Sequence, residues 1–424
     1  MKNFLKKLFN LRINNKKKNI KFSEMKKIKG VEKIFEIFHN YSDNSQIRFV
    51  GGCVRKILAN EKIDDIDMAT NLLPDQVINL LKINNVRFYE SGLDHGTVTA
   101  IFDDVKFEIT SLRKDISTDG RHAKVVYTDN WFEDASRRDF SINSIYADYE
   151  GNIFDPFDGI SDLTKGKIKF IGNADQRIKE DYLRILRYLR FYINYSDNLH
   201  EDIIKRIIKQ NLPGIKKISK ERLLDELKKI LMSSKFFNIY SDNFSLELII
   251  LIFPELKNIK LLQNLEQNKV EFIQSLDFIL FVSLLIIDGT DNAEYFVYKY
   301  NLSKDEKKRI KFIIENYKNI DKKNFFSENN IKKLIYLNDK KLINDLICFK
   351  IIKSKKNSNK LIRLQDTFQN FEKEIFPIKA KDLISEFNLK EGKELGEKLK
   401  KIENTWLNNN FKISHDEIKN IVRN

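Results

Sequence analysis

The chain has 424 residues, of which 42% are hydrophobic and 32% are charged, a composition typical of soluble globular proteins. This length exceeds what one ordinary hydrophobic core serves, so we expect two or three domains. The 76 Lys and Arg residues outnumber the 61 Asp and Glu residues, giving a formal net charge of +15. The excess indicates a polyanionic partner, nucleic acid before membrane, although a solvated basic surface explains the charge equally well by itself.

Membrane insertion and disulfide bonding are both disfavoured by the sequence. No run reaches the roughly 18 apolar residues of a membrane span, and the most apolar stretch, residues 278–287, is predicted to be a buried helix. Cys53 and Cys348 are far apart and form no metal-binding spacing, which indicates a reducing, cytoplasmic setting. The basic residues 1–25 lack the apolar core of a secretory signal, so they are predicted to be an N-terminal extension.

Residues 26–155 are predicted to form a small α/β head. Its predicted strands have short apolar or alternating patterns and cover residues 47–50, 63–69, 97–102, 105–112, 146–149 and 153–154. A helix is predicted at 54–59, directly after the first strand. The segment 113–122 is polar, charged and poorly periodic, which predicts a mobile loop without regular structure.

From residue 163 onwards Gly and Pro become rare and apolar residues recur at helical spacing. We therefore predict an α+β protein, in which a nucleotidyltransferase-type α/β head is followed by a long, all-helical neck, body and tail. The neck is assigned to 156–235, and the body and tail to 236–424. Pro254 and Pro377 are candidate boundaries within the helical part.

The first chemical feature in chain order is a glycine turn. Gly51 and Gly52 lie between the first strand and its helix, where their backbone N–H groups can approach a phosphate, and Arg55 can add a charge-assisted contact. A tight turn with a surface arginine is the simpler explanation of these residues taken alone.

An acidic pair follows thirteen residues after Gly52. Asp65 and Asp67 are two apart in a predicted strand, so both carboxylates point one way while Ile66 points into the core. Such a pair suits Mg²⁺, which takes hard oxygen ligands and completes its shell with water and phosphate. Glu108 faces opposite its neighbours Phe107 and Ile109 and is a candidate third carboxylate, or an ordinary solvent-facing residue. Together with the glycine turn, the pair predicts a site for nucleotidyl transfer.

At this point the chain resembles a known family, the class II tRNA nucleotidyltransferases and bacterial poly(A) polymerases. The similar motifs follow one another in the family's order between residues 51 and 227. They are GGCVR (51–55) with DIDMAT (65–70), RRDFSIN (137–143), DPFDG (155–159), EDYLRILRYLRF (180–191) and SKER with EL (219–222, 226–227). The family usually has Asp where this chain has Lys56, a departure outside the acidic pair.

The resemblance implies roles for further residues. Arg138, Asp139 and Asn143 belong to the motif implicated in ribose and nucleotide recognition. Asp181 and Arg184 match the nucleotide-selecting motif of the neck, and the basic stripe continues through Arg187 and Arg190 towards triphosphate or base. A solvated face of an amphipathic helix is the alternative explanation for that stripe. The resemblance also places in segment 113–122 the element linked to the switch from C to A addition.

Three residues apart on a predicted helix, Asp181 and Arg184 are expected to be neighbours. Asp181 can accept a hydrogen bond from an exocyclic amino group, and Arg184 can donate one to a ring acceptor. Cytosine and adenine both present an amino donor beside an acceptor, whereas guanine and uracil present a carbonyl. One pair can therefore select CTP and ATP without a template.

The function implied is template-independent addition of C, C and A to the 3′ end of tRNA from CTP and ATP, with Mg²⁺ at Asp65 and Asp67 and pyrophosphate as product. Poly(A) synthesis, or addition of only C or only A, uses the same chemistry and stays open. The tail, with Phe376, Gly392 and Trp406, resembles that of many CCA-adding enzymes. A non-catalytic RNA-binding protein is the remote alternative, disfavoured by the intact acidic pair and Arg55.

Overall fold

The computed structural model describes residues 22–63, 65–92, 96–119, 122–354, 359–369 and 372–423. Most of the predicted N-terminal extension and residues 93–95 of a predicted turn therefore lie outside the described residues. Two compact units make up the chain, Met1–Ile252 and Phe253–Asn424. Their boundary falls just before Pro254. The predicted limits of head and neck at 155 and 235 both fall inside the first unit and stay predictions.

The described residues of the first unit form nine strands. They are β1 (Ile47–Val50), β2 (Ile66–Thr70), β3 (Arg87–Gly92), β4 (Thr97–Phe102), β5 (Val105–Ser111), β6 (Arg113–Asp119), β7 (His122–Tyr127), β8 (Tyr146–Ala147) and β9 (Ile153–Phe154). Seven of them form one mixed sheet in the order β3-β4-β5-β2-β1-β8-β9, in which only β2 and β5 pair in parallel. The six strands predicted from alternating and apolar patterns all belong to this sheet.

One face of the sheet is a closed hydrophobic core. Phe49, Met68, Phe107 and Ile109 each expose 1% or less of their surface and pack in one cluster with residues of the first and third helices. Because side chains alternate across a strand, the residues between them point to the other face. Asp67 and Glu108 are such residues, and the parallel register places them opposite each other.

Segment 113–122 is not the irregular loop that its polar composition predicted. Strands β6 and β7 pair antiparallel as a separate two-stranded sheet, from Arg113 opposite Tyr127 to Asp119 opposite His122. The prediction failed because it relied on apolar periodicity, while this hairpin is joined by backbone hydrogen bonds that do not require apolar side chains. Residues 120 and 121 lie outside the described part.

Among the described residues of the first unit, a short helical segment at 22–26 is followed by ten helices that surround or follow the sheet. They are α1 (Val31–His39), α2 (Gly52–Leu58), α3 (Pro74–Ile83), α4 (Trp131–Ser136), α5 (Gly159–Thr164), α6 (Ala174–Glu180), α7 (Leu183–Tyr195), α8 (Asp202–Asn211), α9 (Lys220–Leu231) and α10 (Asn243–Ile252). Short 3₁₀ segments lie at Ser141–Asn143, Leu212–Lys217 and Phe236–Ser241. Pro213 and Gly214, which interrupt the helical pattern, fall in the second of these.

The second unit is helical throughout its described residues. Its helices are α11 (Gln267–Gln274), α12 (Phe278–Ile286), α13 (Asn292–Lys299), α14 (Lys304–Asn316), α15 (Glu328–Leu337), α16 (Lys340–Lys353), α17 (Asn359–Gln369), α18 (Ala380–Phe387), α19 (Lys393–Asn408) and α20 (His415–Arg423). Every residue of α12 is buried, as the apolar run predicted. Over the described residues, the search for a helix with the length and apolarity of a membrane span found none.

Candidate active site

A cavity with a volume of about 1030 Å³ and a strongly charged lining lies in the first unit. Every site residue predicted from the sequence, apart from Glu108, contributes to that lining. They are Gly51, Gly52, Arg55, Asp65, Asp67, Arg138, Asp139, Asn143, Asp181, Arg184, Arg187 and Arg190. Basic side chains outnumber acidic ones around it, which makes the cavity suited to a polyanion.

The acidic pair lies at the start of β2. Ile66 is 4% exposed and points into the core, as predicted, while the strand begins one residue after Asp65. Burial and the negative charge of Asp65 raise the pKa of Asp67, and the positive charges of Arg138 and Arg55 oppose that rise. The two carboxylates therefore lie within electrostatic range of each other in a partly enclosed site.

Glu108 lies beside this pair, on β5. Partial burial raises the pKa of its carboxyl, and the negative charges of Asp67 and Asp65 raise it further. Within the described ranges, no group of three or more His, Cys, Asp or Glu side chains is placed to hold a metal ion. The carboxylate oxygens of Asp65 and Asp67 are of the kind that a hard cation binds, alongside water or phosphate oxygens.

The glycine turn brings the backbone against the acidic pair. Gly51 has φ 67°, in the left-handed region that favours glycine. A Cβ on Gly52 would lie 3.3 Å from Oδ2 of Asp67, and the backbone of Gly52 hydrogen-bonds to that carboxylate. The two glycines therefore allow the main chain to approach the Asp67 carboxylate closely.

Asp139 and Asn143 form a buried network with two arginines. Oδ1 of Asp139 accepts hydrogen bonds from Nδ2 of Asn143 at 2.8 Å and from the Phe140 amide at 2.9 Å, while Oδ2 accepts from Nε of Arg187 at 2.6 Å. Oδ1 of Asn143 in turn accepts from Nη1 of Arg55. Burial disfavours the charge on Asp139, but Arg187 and the Asn143 hydrogen bond outweigh it and hold its pKa well below the usual range.

Asp134 holds two arginines of the cavity lining in place, and the sequence analysis did not identify it. Its side chain is 1% exposed and accepts hydrogen bonds from Arg137 at 2.8 Å, from Arg138 at 3.1 Å and from the Tyr146 hydroxyl at 2.6 Å. Burial opposes its ionisation, yet the two arginines lower its pKa far below the ordinary value. Its spacing of three and four residues from those arginines was the available signal.

The nucleotide-selecting pair is arranged differently from the prediction. Asp181 does not share a helix with Arg184, because α6 ends at Glu180 and Asp181 adopts an extended conformation before α7 begins. Oδ1 of Asp181 caps the new helix through the Leu183 amide at 3.1 Å, and Oδ2 pairs with Arg222 at 2.7 Å. The prediction failed because the helical spacing of apolar residues continues across 178–189, and this spacing gives no sign that the helix is interrupted at Asp181.

Three arginines of α7 are each held by a carboxylate from elsewhere in the unit. Arg184 pairs with Glu180 at 2.7 Å and also donates to the carbonyl of Arg177, while Arg187 pairs with Asp139 at 2.6 Å. Arg190 pairs with Glu226, a residue of α9 that is 2% exposed. The predicted basic stripe is therefore a set of anchored guanidiniums lining a cavity, which rules out the alternative of a solvated helix face.

The chain is similar to two family models and to several known proteins. A family model described as "Poly A polymerase head domain" matches residues 47–169, and one described as "Probable RNA and SrmB- binding site of polymerase A" matches 201–260. The mitochondrial CCA tRNA nucleotidyltransferase 1 of Mus musculus is 31% identical over 398 residues, covering 93% of this chain and 90% of the relative. The CCA-adding enzyme of Staphylococcus saprophyticus is 29% identical, covering 84% and 89%.

A solved structure has the same fold. The CCA-adding enzyme of Bacillus stearothermophilus in complex with CTP gives a TM-score of 0.65 at 21% identity, covering 89% of this chain and 91% of that one. At this identity the likeness establishes the fold, an α/β head followed by helices, and nothing finer.

Proposed function

Because the chain belongs to the family of CCA-adding tRNA nucleotidyltransferases, we propose that it adds C, C and A to the 3′ end of tRNA, using CTP and ATP and no template. The observation that carries the proposal is the convergence of the acidic pair, the glycine turn and the anchored arginines on one cavity. The reaction joins the terminal 3′ oxygen of the RNA to the α-phosphorus of the nucleotide and releases pyrophosphate.

Asp65 and Asp67 are the residues that would hold Mg²⁺. When bound, the metal supplies charge that activates the attacking oxygen and stabilises the leaving one, by one ion or two. The carboxylates must be ionised to bind it, and the raised pKa of Asp67 places that ionisation higher on the pH scale than for an ordinary aspartate. Glu108 is the third acidic residue of the proposed catalytic face. It lies opposite Asp67 in the strand register, and the charges of Asp67 and Asp65 help to raise its pKa.

The triphosphate would be held by the basic lining of the cavity. Arg138 is oriented by Asp134, and Arg187 is oriented by Asp139. Such anchoring reduces the entropy lost when a guanidinium binds phosphate, and it fixes the direction of its N–H groups. Recognition of the ribose is assigned to Asn143 and Asp139, which hydrogen-bond to each other and line the same cavity.

Base selection is assigned to Asp181 and Arg184, which both line the cavity. Each already has an intramolecular partner, Arg222 for Asp181 and Glu180 for Arg184. A carboxylate oxygen has more than one lone pair, and a guanidinium has five N–H groups, so each can add a contact to the base edge while keeping its partner. The partners then fix the geometry with which cytosine and adenine are recognised.

One experiment tests the proposed function directly. Purified protein is incubated with Mg²⁺ and tRNA ending before, within or after CCA, with each nucleotide alone and with all four together, and the products are sequenced. We expect C, C and A to be added once each and complete tRNA to be left unchanged. Products ending in C only, A only or a run of A would assign the related activities, and absence of any product would leave an RNA-binding protein.

The tRNA partner has an independent test in salt dependence. A net charge of +15 predicts that binding releases counterions from the RNA backbone, so the dissociation constant should rise steeply with salt. The measurement is a filter-binding or fluorescence titration at several ionic strengths. An affinity that stays flat between low and moderate salt would contradict backbone recognition.

A further inference from the structure

One aromatic ring at the cavity lies close to three arginines. The ring of Phe191, on α7, is 1% exposed and forms part of the cavity lining. The guanidinium carbons of Arg190, Arg55 and Arg187 lie 4.2, 4.7 and 5.6 Å from its centroid. Distances of this size are within the range of cation–π attraction.

The three arginines differ in how their charge is compensated. Arg187 and Arg190 have carboxylate partners, Asp139 and Glu226. Arg55 is 6% exposed, and no carboxylate in the described ranges lies within ion-pair distance of it. Its direct contacts are with uncharged groups, namely the amide oxygen of Asn143, the ring of Phe191 and the side chain of Tyr195. Its charge also acts on Asp67, beyond ion-pair distance.

Tyr195 completes the surroundings of Arg55. Its ring centroid lies 5.2 Å from the guanidinium, so Arg55 has aromatic rings from two successive turns of α7 beside it. The Nε atom of Arg55 is buried and has no hydrogen-bond partner among the described residues. A donor left in this condition costs free energy until an acceptor reaches it.

Ring faces and carboxylates stabilise a buried guanidinium with different consequences. A carboxylate neutralises the charge and would compete with phosphate for the same N–H groups. The face of an aromatic ring attracts the cation but leaves its net charge and its N–H groups available. A guanidinium held by ring faces therefore keeps its positive charge for a polyanion, whereas the paired arginines are already partly neutralised.

We propose that Phe191 is a positioning residue, which with Tyr195 holds Arg55, a cation without a carboxylate at ion-pair distance, for the triphosphate of the incoming nucleotide. The inference rests on the proposed function, since it assigns Arg55 to the nucleotide of that reaction. The inference gives a role in phosphate binding to phenylalanine, which has neither a charge nor a hydrogen-bonding group. Part of the phosphate affinity would then depend on the cation–π contact between the Phe191 ring and Arg55. Phe191 itself does not touch the reacting atoms.

The test compares Phe191→Leu with a control, Phe38→Leu, in the full-length protein. Phe38 is 0% exposed and belongs to the core of the head, outside the cavity lining, so its replacement reports the cost of losing a buried ring. Calorimetry measures binding of inorganic tripolyphosphate, and single C addition gives kcat and KM for CTP. We expect Phe191→Leu to raise both the dissociation constant of tripolyphosphate and the KM for CTP by roughly 5- to 30-fold. The change in kcat should be smaller, and Phe38→Leu should leave both constants unchanged.

Two further variants separate positioning from packing. Replacing Phe191 with pentafluorophenylalanine keeps the ring but removes its attraction for cations, so it should weaken tripolyphosphate binding without the loss of Tm expected for leucine. In an Arg55→Gln background, Phe191→Leu should have little additional effect on tripolyphosphate binding, because the two residues act as a unit. Unchanged binding in Phe191→Leu, or an equal loss with and without Arg55, would overturn the proposal.

Failure of this inference can be told from failure of the proposed function. Tripolyphosphate binding requires neither tRNA nor catalysis, so it reports on the phosphate-binding side chains of the cavity independently of the reaction. If the parent protein adds C, C and A while Phe191→Leu binds tripolyphosphate normally, only the positioning role is wrong. If the parent adds no nucleotide but loses tripolyphosphate binding on Phe191→Leu, the positioning role stands and the assigned reaction is wrong.

Discussion

The two compact units bury charge in different ways. In the first unit, buried Arg55, Asp134, Asp139 and Glu226 all lie at the cavity or contact its lining. In the second unit, Arg309 of α14 is the buried cation, and it is shared by Asp345 at 2.6 Å and Asp277 at 2.7 Å. The first arrangement exposes guanidinium groups to a cavity, whereas Arg309, Asp277 and Asp345 pair with one another.

This difference indicates that the two units use buried charges for different purposes. Burying a charge costs several kcal/mol, and a pair recovers that cost only when geometry and hydrogen bonding are good. Arg309 and its carboxylates form a closed set that ties α14 to α16 and to the start of α12. In the first unit the same cost maintains a basic cavity, so we expect mutations there to change function and mutations at Arg309 to change stability.

The largest effect is expected at the acidic pair. Asp67→Asn should lower nucleotide incorporation by at least about 10³-fold, because one of the two carboxylates for the metal is lost. It should not lower stability at neutral pH, since burial and Asp65 raise the pKa of Asp67 and so oppose its ionised form in the folded protein. A raised carboxyl pKa favours folding of the parent as pH falls, so the variant's relative stability should decline towards acid.

Single-nucleotide incorporation and thermal melts between pH 4 and 7 check both parts. The matched control is Asp104→Asn, which removes an exposed carboxylate from the turn between β4 and β5. A folded Asp67→Asn protein with near-normal turnover would remove the metal assignment.

A large stability effect without a catalytic one is expected in the second unit. Arg309→Met leaves Asp345 buried without its partner, which should lower the free energy of unfolding by about 3–5 kcal/mol. Asp277 is partly exposed and contributes less of this loss because water can replace the arginine. Denaturant titration gives the change, and KM for CTP serves as the functional readout.

The double variant Arg309→Met with Asp345→Leu is the control for this second prediction. Removing both members of the pair should recover most of the lost stability, because no charge is then left buried. A raised KM for CTP in the soluble, folded single variant would contradict the division between the two units.

A change of selectivity is expected at the start of α7. Asp181→Ala should relax discrimination against UTP and GTP, since each mismatched buried group costs roughly 1–3 kcal/mol. Arg184→Ala should weaken CTP and ATP together, because both bases lose the same contact. Incorporation of each of the four nucleotides on tRNA lacking CCA measures these changes.

Glu180→Gln separates selection from support of the helix start. Glu180 accepts from both Arg177 and Arg184, so this variant breaks the ion pair but leaves the Arg184 side chain present. Unchanged preference for CTP and ATP in both Asp181→Ala and Arg184→Ala would mean that selection lies elsewhere in the cavity.

The smallest effect is expected for an exposed pair of the first unit. Lys209 of α8 and Glu247 of α10 lie 3.0 Å apart, with half of each side chain exposed. Glu247→Gln should change the free energy of unfolding by less than about 1 kcal/mol, because water and salt screen the pair. A loss comparable to that of Arg309→Met would show that burial does not explain the contrast between the units.

Much of the architecture was accessible from sequence patterns. Alternation and apolar runs predicted the strands containing Phe49, Met68 and Ile109, and the long apolar run predicted α12. The hairpin at Arg113–Tyr127 was missed because its polar composition carries no apolar period. The extended residue at Asp181 was missed because the helical pattern continues on both sides of it.

The sequence by itself determined the order of the motifs, the α/β head with its helical continuation, and twelve of the residues that line the cavity. Local periodicity and residue type are properties of neighbouring positions, so they can be read along the chain. Only the tertiary structure decided which charges are buried and which groups compensate them. Arg55 meets Asn143 across 88 positions, Asp181 meets Arg222 across 41, and Arg190 meets Glu226 across 36. Such partners follow from packing between distant segments, and no local pattern records them.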